Sequence, residues 1–138
     1  MAFIEAIARA SGWKVGAFTS PHILDYNERI RIFGINVNDE KLIKAFEKIE
    51  LARKHDAEIL LTFFEFSTLA SLLIFAEYDL DLVILEVGLG GRLDATNIID
   101  PDVAVITTVD LDHQDYLGTD RESIGFEKAG IIRAWKPV

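Results

Sequence analysis

The sequence predicts an α/β fold, a mostly parallel sheet flanked by helices. Three observations carry this. Leu82-Val83-Ile84-Leu85 is an unbroken apolar run of β-type residues, which suits a strand buried on both faces, as in a parallel sheet covered by helices. A helical pattern, FEFSTLASLLIFAEY, runs directly into that strand, and helix into buried strand is an αβ unit. Half of the 138 residues are hydrophobic, enough for the core of one domain at most.

In chain order, Phe3, Ile4, Ile7 and Ala8 recur at helical spacing. No Ser, Thr, Asp or Asn precedes them as a cap, and Gly12 is the expected stop. An α/β domain normally opens with a strand, so a bare opening helix predicts more chain upstream. Trp13 to Phe18 reads as a short strand. Thr19-Ser20-Pro21-His22 then places two hydroxyls, a proline and an imidazole just past its end. Taken alone that tetrapeptide is an ordinary turn. Glu28 to Val37 alternates around Phe33-Gly34 and predicts a small hairpin projecting from the sheet, with Arg29 and Arg31 on one face.

Asn38 caps a helix running to about Lys54, with Leu42, Phe46, Ile49 and Arg53 as one stripe and Glu50–Lys54 as an i,i+4 pair. His55 follows as a surface residue. Thr62 and Glu65 have capping-box spacing, and the helix they open is apolar nearly all round, so it is expected to be buried. Asp79 and Asp81 end it. After the Leu82 strand comes the glycine-rich loop of Gly88, Gly90 and Gly91, and Pro101 forbids an early helix. Val103 to Thr107, VAVIT, predicts a second buried strand. A final helix is expected at Arg121 to Ala129, stopped by Gly130.

Composition narrows the function. A formal charge of −9 argues against a nucleic-acid backbone or an anionic membrane as partner. There is no cysteine, hence no disulfide framework, zinc–thiolate site or thiol nucleophile, which fits a cytoplasmic protein. No apolar stretch is long enough to span a bilayer, and the first residues lack the layout of a signal peptide.

The chemistry-bearing residues gather at predicted strand ends, where open α/β sheets place ligands. Glu86 closes the Leu82 strand, and Asp110, Asp112 and His113 follow the Val103 run. Hard oxygen ligands with one imidazole suit Mg²⁺ or Mn²⁺ better than zinc. Gly88 to Leu93 fails G-x-G-x-x-G at its last position, and no G-x-x-x-x-G-K-[ST] loop is present. The sequence therefore offers a candidate metal site without a phosphate cradle.

Together TSPHI with NERIRI, TFFEF, LEVGLGGRLDATN, VITTVDLDHQDYLG and ESIGFEKAGI resemble the folylpolyglutamate synthase/dihydrofolate synthase family of Mur-ligase-type, ATP-dependent amide ligases. These pieces stand in family order over nearly the whole chain. The resemblance implies a three-layer P-loop-type sheet, the Mur-ligase central domain, incomplete at both ends: the phosphate loop expected upstream and the C-terminal ligase domain are both missing from residues 1–138. It implies Ser20, Glu86 and His113 as magnesium ligands, and Lys128 as a lysine that CO₂ carbamylates and that supports a second magnesium, so that Lys128, His113 and Glu86 form the catalytic group. It implies that Thr62, Phe64, Asp94 and Ala95 line a pterin site and that Arg29 lies near the folate-side substrate.

The implied reaction uses ATP to activate the carboxylate of dihydropteroate or a folate as an acyl phosphate, which the amino group of L-glutamate attacks. Without a phosphate loop, the 138 residues alone are expected to be inactive. A strand missing from the sheet would leave an unpaired edge through which the chain self-associates. Two alternatives stand beside this reading: a Mur-type cell-wall amino-acid ligase, and a non-catalytic remnant that binds folates or a partner.

Overall fold

The computed structural model describes residues 1–55 and 59–138, which divide into two units, Met1–Glu86 and Val87–Val138. The first is assembled around Val15–Phe18 (β1), a strand buried along its whole length. On one side β1 pairs antiparallel with Ile30–Ile32 (β2), with Gly16 opposite Ile32 and Phe18 opposite Ile30. Ile35–Asn36 (β3) continues the hairpin through Phe33 and Gly34, both at positive φ. On its other side β1 runs parallel to Leu82–Leu85 (β4), Val15 opposite Leu82 and Phe18 opposite Leu85. The order is β3-β2-β1-β4.

Alternation along β1 builds two cores. Val15 and Ala17 pack with Ile84 of β4 and with Ala8 of the helix Ala2–Ala10 (α1). Phe18 joins Ile30, Ile32, Leu42, Ile49, Ile74 and Phe75 on the opposite face, beneath the helices Asp39–Arg53 (α2) and Phe63–Phe75 (α3). Helices thus cover both faces of the sheet, the expected three-layer α/β arrangement. Gly16 is glycine for space, since a Cβ there would lie 2.8 Å from Leu80 Cδ1 and 3.0 Å from a Phe75 ring carbon.

Several elements follow the sequence closely. Asn38 accepts from the Lys41 N–H at 3.1 Å and caps α2. Thr62 Oγ1 accepts from the Glu65 N–H at 3.2 Å, while the Thr62 N–H donates to Glu65 Oε2 at 2.7 Å, completing the capping box of α3. Other elements differ. The Glu28–Val37 hairpin does not project from the sheet: β2 is the neighbour of β1 and supplies its antiparallel half. The buried face of α3 is its small one, Ser67, Thr68, Ala70 and Ser71, with Ile74 and Phe75. These hydroxyls donate to carbonyls of their own helix, Ser67 to Phe63 and Thr68 to Phe64, so they enter the core satisfied. In α1 the stripe Phe3, Ile4 and Ile7 is exposed, Phe3 at 85%, and the buried residue is Glu5. Its Oε2 accepts from Nη2–H and Nε–H of Arg31 of β2, at 2.8 and 3.1 Å, which compensates the burial of both charges.

The second unit holds the glycine loop, a 3-10 turn at Ala95–Ile98, a short helix Gln114–Leu117 (α4) and the helix Arg121–Ala129 (α5), which Asp120 caps through the Ser123 N–H. The expected strand Val103–Thr107 does not form. Val103 and Val105 are 58% and 57% exposed, and only Ala104 of that run is buried. A strand is stabilised by its ladder, and among the described residues none pairs with this run; the Ala104 N–H bonds to the Pro137 carbonyl instead.

Candidate functional site

The parallel register of β1 and β4 brings the carboxyl ends of the two strands to one place. One step beyond β4, the Glu86 N–H donates to the Phe18 carbonyl at 3.0 Å, which extends the ladder and fixes the Glu86 backbone. Its side chain returns across the gap, and Oε2 accepts from the Ser20 N–H at 2.8 Å. Ser20 and Glu86, 66 positions apart, are therefore neighbours. Both are half-buried. The Ser20 hydroxyl and Glu86 Oε1 take no hydrogen bond from the described residues, and no such atom is sealed from solvent. Both keep lone pairs for a hard cation, and this oxygen pair fits magnesium or manganese.

The loop after Ser20 is ordered by one carboxylate. Glu28 accepts from the backbone N–H groups of Ile23, Leu24 and Asp25 at 2.8–3.0 Å. The bonds from Ile23, Asp25 and Leu24 hold its carboxyl below the ordinary carboxylate range. Beside this loop Arg29 is only 7% exposed. Its Nε–H donates to His22 Nδ1 at 2.8 Å, and its guanidinium lies 5.1 Å from the Phe63 ring centroid and 5.8 Å from that of Tyr26. Phe63 follows Thr62 at the start of α3, and Tyr26 stands edge-on to it. Arg29 and the opening of α3 are thus brought together. Thr62 is an exposed cap, while Phe64 turns inward against Phe18, ring centroids 5.7 Å apart. Tyr26, Phe46, Phe63 and Phe66 line an apolar cavity of about 410 Å³ next to these residues.

In the second unit, Asp94 organises the glycine loop. Oδ2 accepts from the N–H groups of Gly88 and Leu89 at 2.9 and 3.0 Å, and Oδ1 accepts from the Thr96 N–H and hydroxyl at 2.9 and 2.6 Å. Four donors occupy both oxygens, so the loop itself needs Asp94. Ala95 begins the 3-10 turn. The loop is also locked to α5: the Arg92 guanidinium grips Glu127 with both oxygens at 2.9–3.1 Å, and the Arg92 N–H donates to the Glu127 carbonyl at 2.8 Å. A Cβ on Gly130 would clash with Arg92, so the position is glycine for space, while its φ of −61° is ordinary helical backbone and not the left-handed conformation of a glycine stop.

Lys128, in the last turn of α5, is half-buried and has no hydrogen bond or ion pair with the described residues. His113 is exposed at φ 49°, the cap position of α4, with its N–H on Asp112 Oδ1. Asp110 is committed to the Leu111 N–H and to Arg121, which together hold its carboxyl below its ordinary range. Among the described residues no three His, Cys, Asp or Glu side chains form a ligand group. Ser20, Glu86, Arg29, Thr62 and Phe64 belong to the first unit, and His113, Lys128, Asp94 and Ala95 to the second. Sequence reasoning missed the His22–Arg29 bond, the ordering role of Glu28 and the Arg92–Glu127 clasp. The only available signal was the imidazole set just past a strand end.

Known proteins resemble this chain in sequence and in fold. The chain is 54% identical over 134 residues to the dihydrofolate synthase/folylpolyglutamate synthase of Escherichia coli (strain K12), a match covering 97% of this chain and 31% of that protein. It superposes on E. coli FolC in complex with DHPP and ADP with a TM-score of 0.93 at 54% identity, over 98% of this chain and 32% of that one. A bifunctional folylpolyglutamate synthase/dihydrofolate synthase with Mn, AMPPNP and L-glutamate bound gives 0.88 at 54% identity, over 97% and 32%. The chain thus spans about a third of the length of each of these relatives. No described helix is long and apolar enough to cross a membrane. The model of the Mur ligase middle domain matches residues 30–137, and the chain belongs to that family.

Proposed function

We propose that these 138 residues are the partial ATPase domain of a cytoplasmic, ATP-dependent ligase that joins L-glutamate to dihydropteroate, to folates, or to both. The observation that carries the reading is the Ser20–Glu86 pair, two oxygen donors placed at adjoining strand ends with lone pairs free. The similarity to enzymes whose structures hold ADP, or Mn, AMPPNP and L-glutamate, supports it.

Ser20, Glu86 and His113 are the residues proposed to hold a divalent cation. Such a cation, when bound, offsets charge on a transferring phosphoryl group. Glu86 is fixed by its backbone bond to Phe18 and by its bond from Ser20, so it meets a cation without reorganising. Lys128 is proposed to carry a carbamate. The amine nitrogen attacks CO₂ and loses a proton, giving an anionic oxygen pair in place of an ammonium. Thr62 and Phe64, with Asp94 and Ala95, are proposed for the pterin, and Arg29 for the folate-side substrate. Asp94 would serve there chiefly by shaping its loop, since four donors already fill its oxygens.

The sequence has no Walker A loop to cradle phosphates. The test is therefore a chimera in which these residues replace the matched third of the E. coli relative. It is expected to release ADP only with both L-glutamate and dihydropteroate, and Glu86→Gln is expected to remove most of that activity. The 138-residue chain alone is expected to release none. A folded chimera without glutamate-dependent turnover would overturn the reading.

A further inference from the structure

Arg29 is a buried cation without an anion. It is only 7% exposed, yet no carboxylate among the described residues pairs with it. Glu28, its neighbour in sequence, is committed to three backbone N–H groups. Burying an uncompensated charge is costly, so the arrangement has to be supported by something else. The supports are the faces of Phe63 and Tyr26, at 5.1 and 5.8 Å, and one hydrogen bond, from Nε–H to His22 Nδ1 at 2.8 Å. That bond requires His22 Nδ1 to carry no proton, so the imidazole is the neutral tautomer with hydrogen on Nε2.

The remaining four guanidinium N–H groups, on the two terminal nitrogens, have no acceptor among the described residues. Among the described residues no buried side-chain nitrogen is left without a partner, so those two nitrogens reach solvent. A planar fork of donors, pinned at its stem and open at its tips, matches the two oxygens of a carboxylate. Had His22 been a carboxylate, the charge would already be neutralised and the fork would hold an incoming anion weakly. A neutral acceptor orients the guanidinium and leaves its charge available.

We propose that His22 is a positioning residue that holds Arg29 as the receptor for the carboxylate of an aromatic acid, using its neutral Nδ1. The identity of that acid as dihydropteroate rests on the ligase reading above; the pairing of His22 with Arg29 does not.

The experiment uses the 138-residue chain, with dihydropteroate and its methyl ester as probes. His22→Leu removes the acceptor, and His22→Asn keeps a side-chain oxygen near the place of Nδ1. Dihydropteroate affinity is expected to fall about tenfold in His22→Leu, the size of one hydrogen bond to a charged group, and to recover in His22→Asn. The ester is expected to bind equally to all three chains. In an Arg29→Gln background, His22→Leu is expected to have no further effect. Exchange of the Arg29 Nε proton, followed by NMR, is expected to quicken in His22→Leu alone. Equal losses for acid and ester, or a His22 effect that survives Arg29→Gln, would overturn the inference. If the chain binds neither probe while the chimera turns over, the carboxylate sits elsewhere: the inference falls and the ligase reading stands. If the chimera is also inactive, both fall.

Discussion

Glu28 illustrates how a single side chain sets the shape of a loop. Three consecutive N–H groups converge on its carboxylate, and their donation holds its pKa below the ordinary value. The sign follows from linkage. The unfolded chain binds the proton more readily than the folded one, so the contribution is complete above the ordinary carboxylate pKa. It is lost as pH falls through the lowered folded value. Amide protection at Ile23 and Leu24 should therefore decline on acidification over that window before the core amides of β1 do, and Glu28→Gln should show the weakened protection already at neutral pH. Unchanged protection in Glu28→Gln would show that the loop is ordered by other contacts. Lys128 makes a second case at this scale. It lies in the last turn of α5 with no hydrogen bond or ion pair among the described residues, where a cation gains only a little from the helix dipole. If it is carbamylated, ¹³C-bicarbonate should give the chimera a carbamate resonance that Lys128→Ala lacks, and short carboxylic acids should partly restore turnover to that variant. A chimera that is active without the resonance would assign Lys128 to the dipole alone.

At the scale of elements, what was legible in the sequence is what neighbours in the chain decide. Asn38 and Lys41, and Thr62 and Glu65, sit within one turn of each other, and each cap forms as its spacing requires. The run Leu82–Leu85 announced a strand because four β-type apolar residues leave little else. What failed was non-local. VAVIT has the composition of β4, but a strand needs a partner, and no residue inside the run names one. The antiparallel seat of Ile30–Ile32 beside β1, the Glu5–Arg31 bond across 26 positions and the Ser20–Glu86 bond across 66 are likewise products of packing. Resemblance placed Ser20 and Glu86 in one site, and spacing alone could not. The capping box of α3 can be tested directly. Thr62→Ala removes the acceptor for the Glu65 N–H while Glu65 keeps its bond to the backbone, so stability should fall by about 1 kcal/mol. Urea unfolding would register this as a lower midpoint with unchanged slope. A midpoint equal to that of the parent chain would mean that the helix start is held by its packing, with the cap idle. Thr62→Ser should retain most of the stability.

For the whole chain, the decisive feature is an edge. With the order β3-β2-β1-β4, β4 pairs among the described residues with β1 alone. Its other side presents backbone donors and acceptors along an apolar strand in which Val83 is exposed. Natural sheets protect such an edge with charge, proline or a bulge, and Leu82 to Leu85 contains none of these. Phe3 and Ile7 of α1 are exposed as well, and large apolar patches on a soluble chain mark surfaces that associate. Two chains meeting at β4 would satisfy the free N–H and C=O groups and remove apolar area from water together, so the 138-residue chain is expected to self-associate at micromolar concentration. Light scattering should give a mass above that of one chain, and the outward-facing amides of Leu82–Leu85 should become protected as concentration rises. Lysine in place of Val83 puts a charge on the edge without altering the β1 pairing, and should return the mass to that of a monomer. The discriminating result is a monomer whose β4 amides are protected at every concentration: another part of the same chain would then cover the edge, and self-association would have no structural basis.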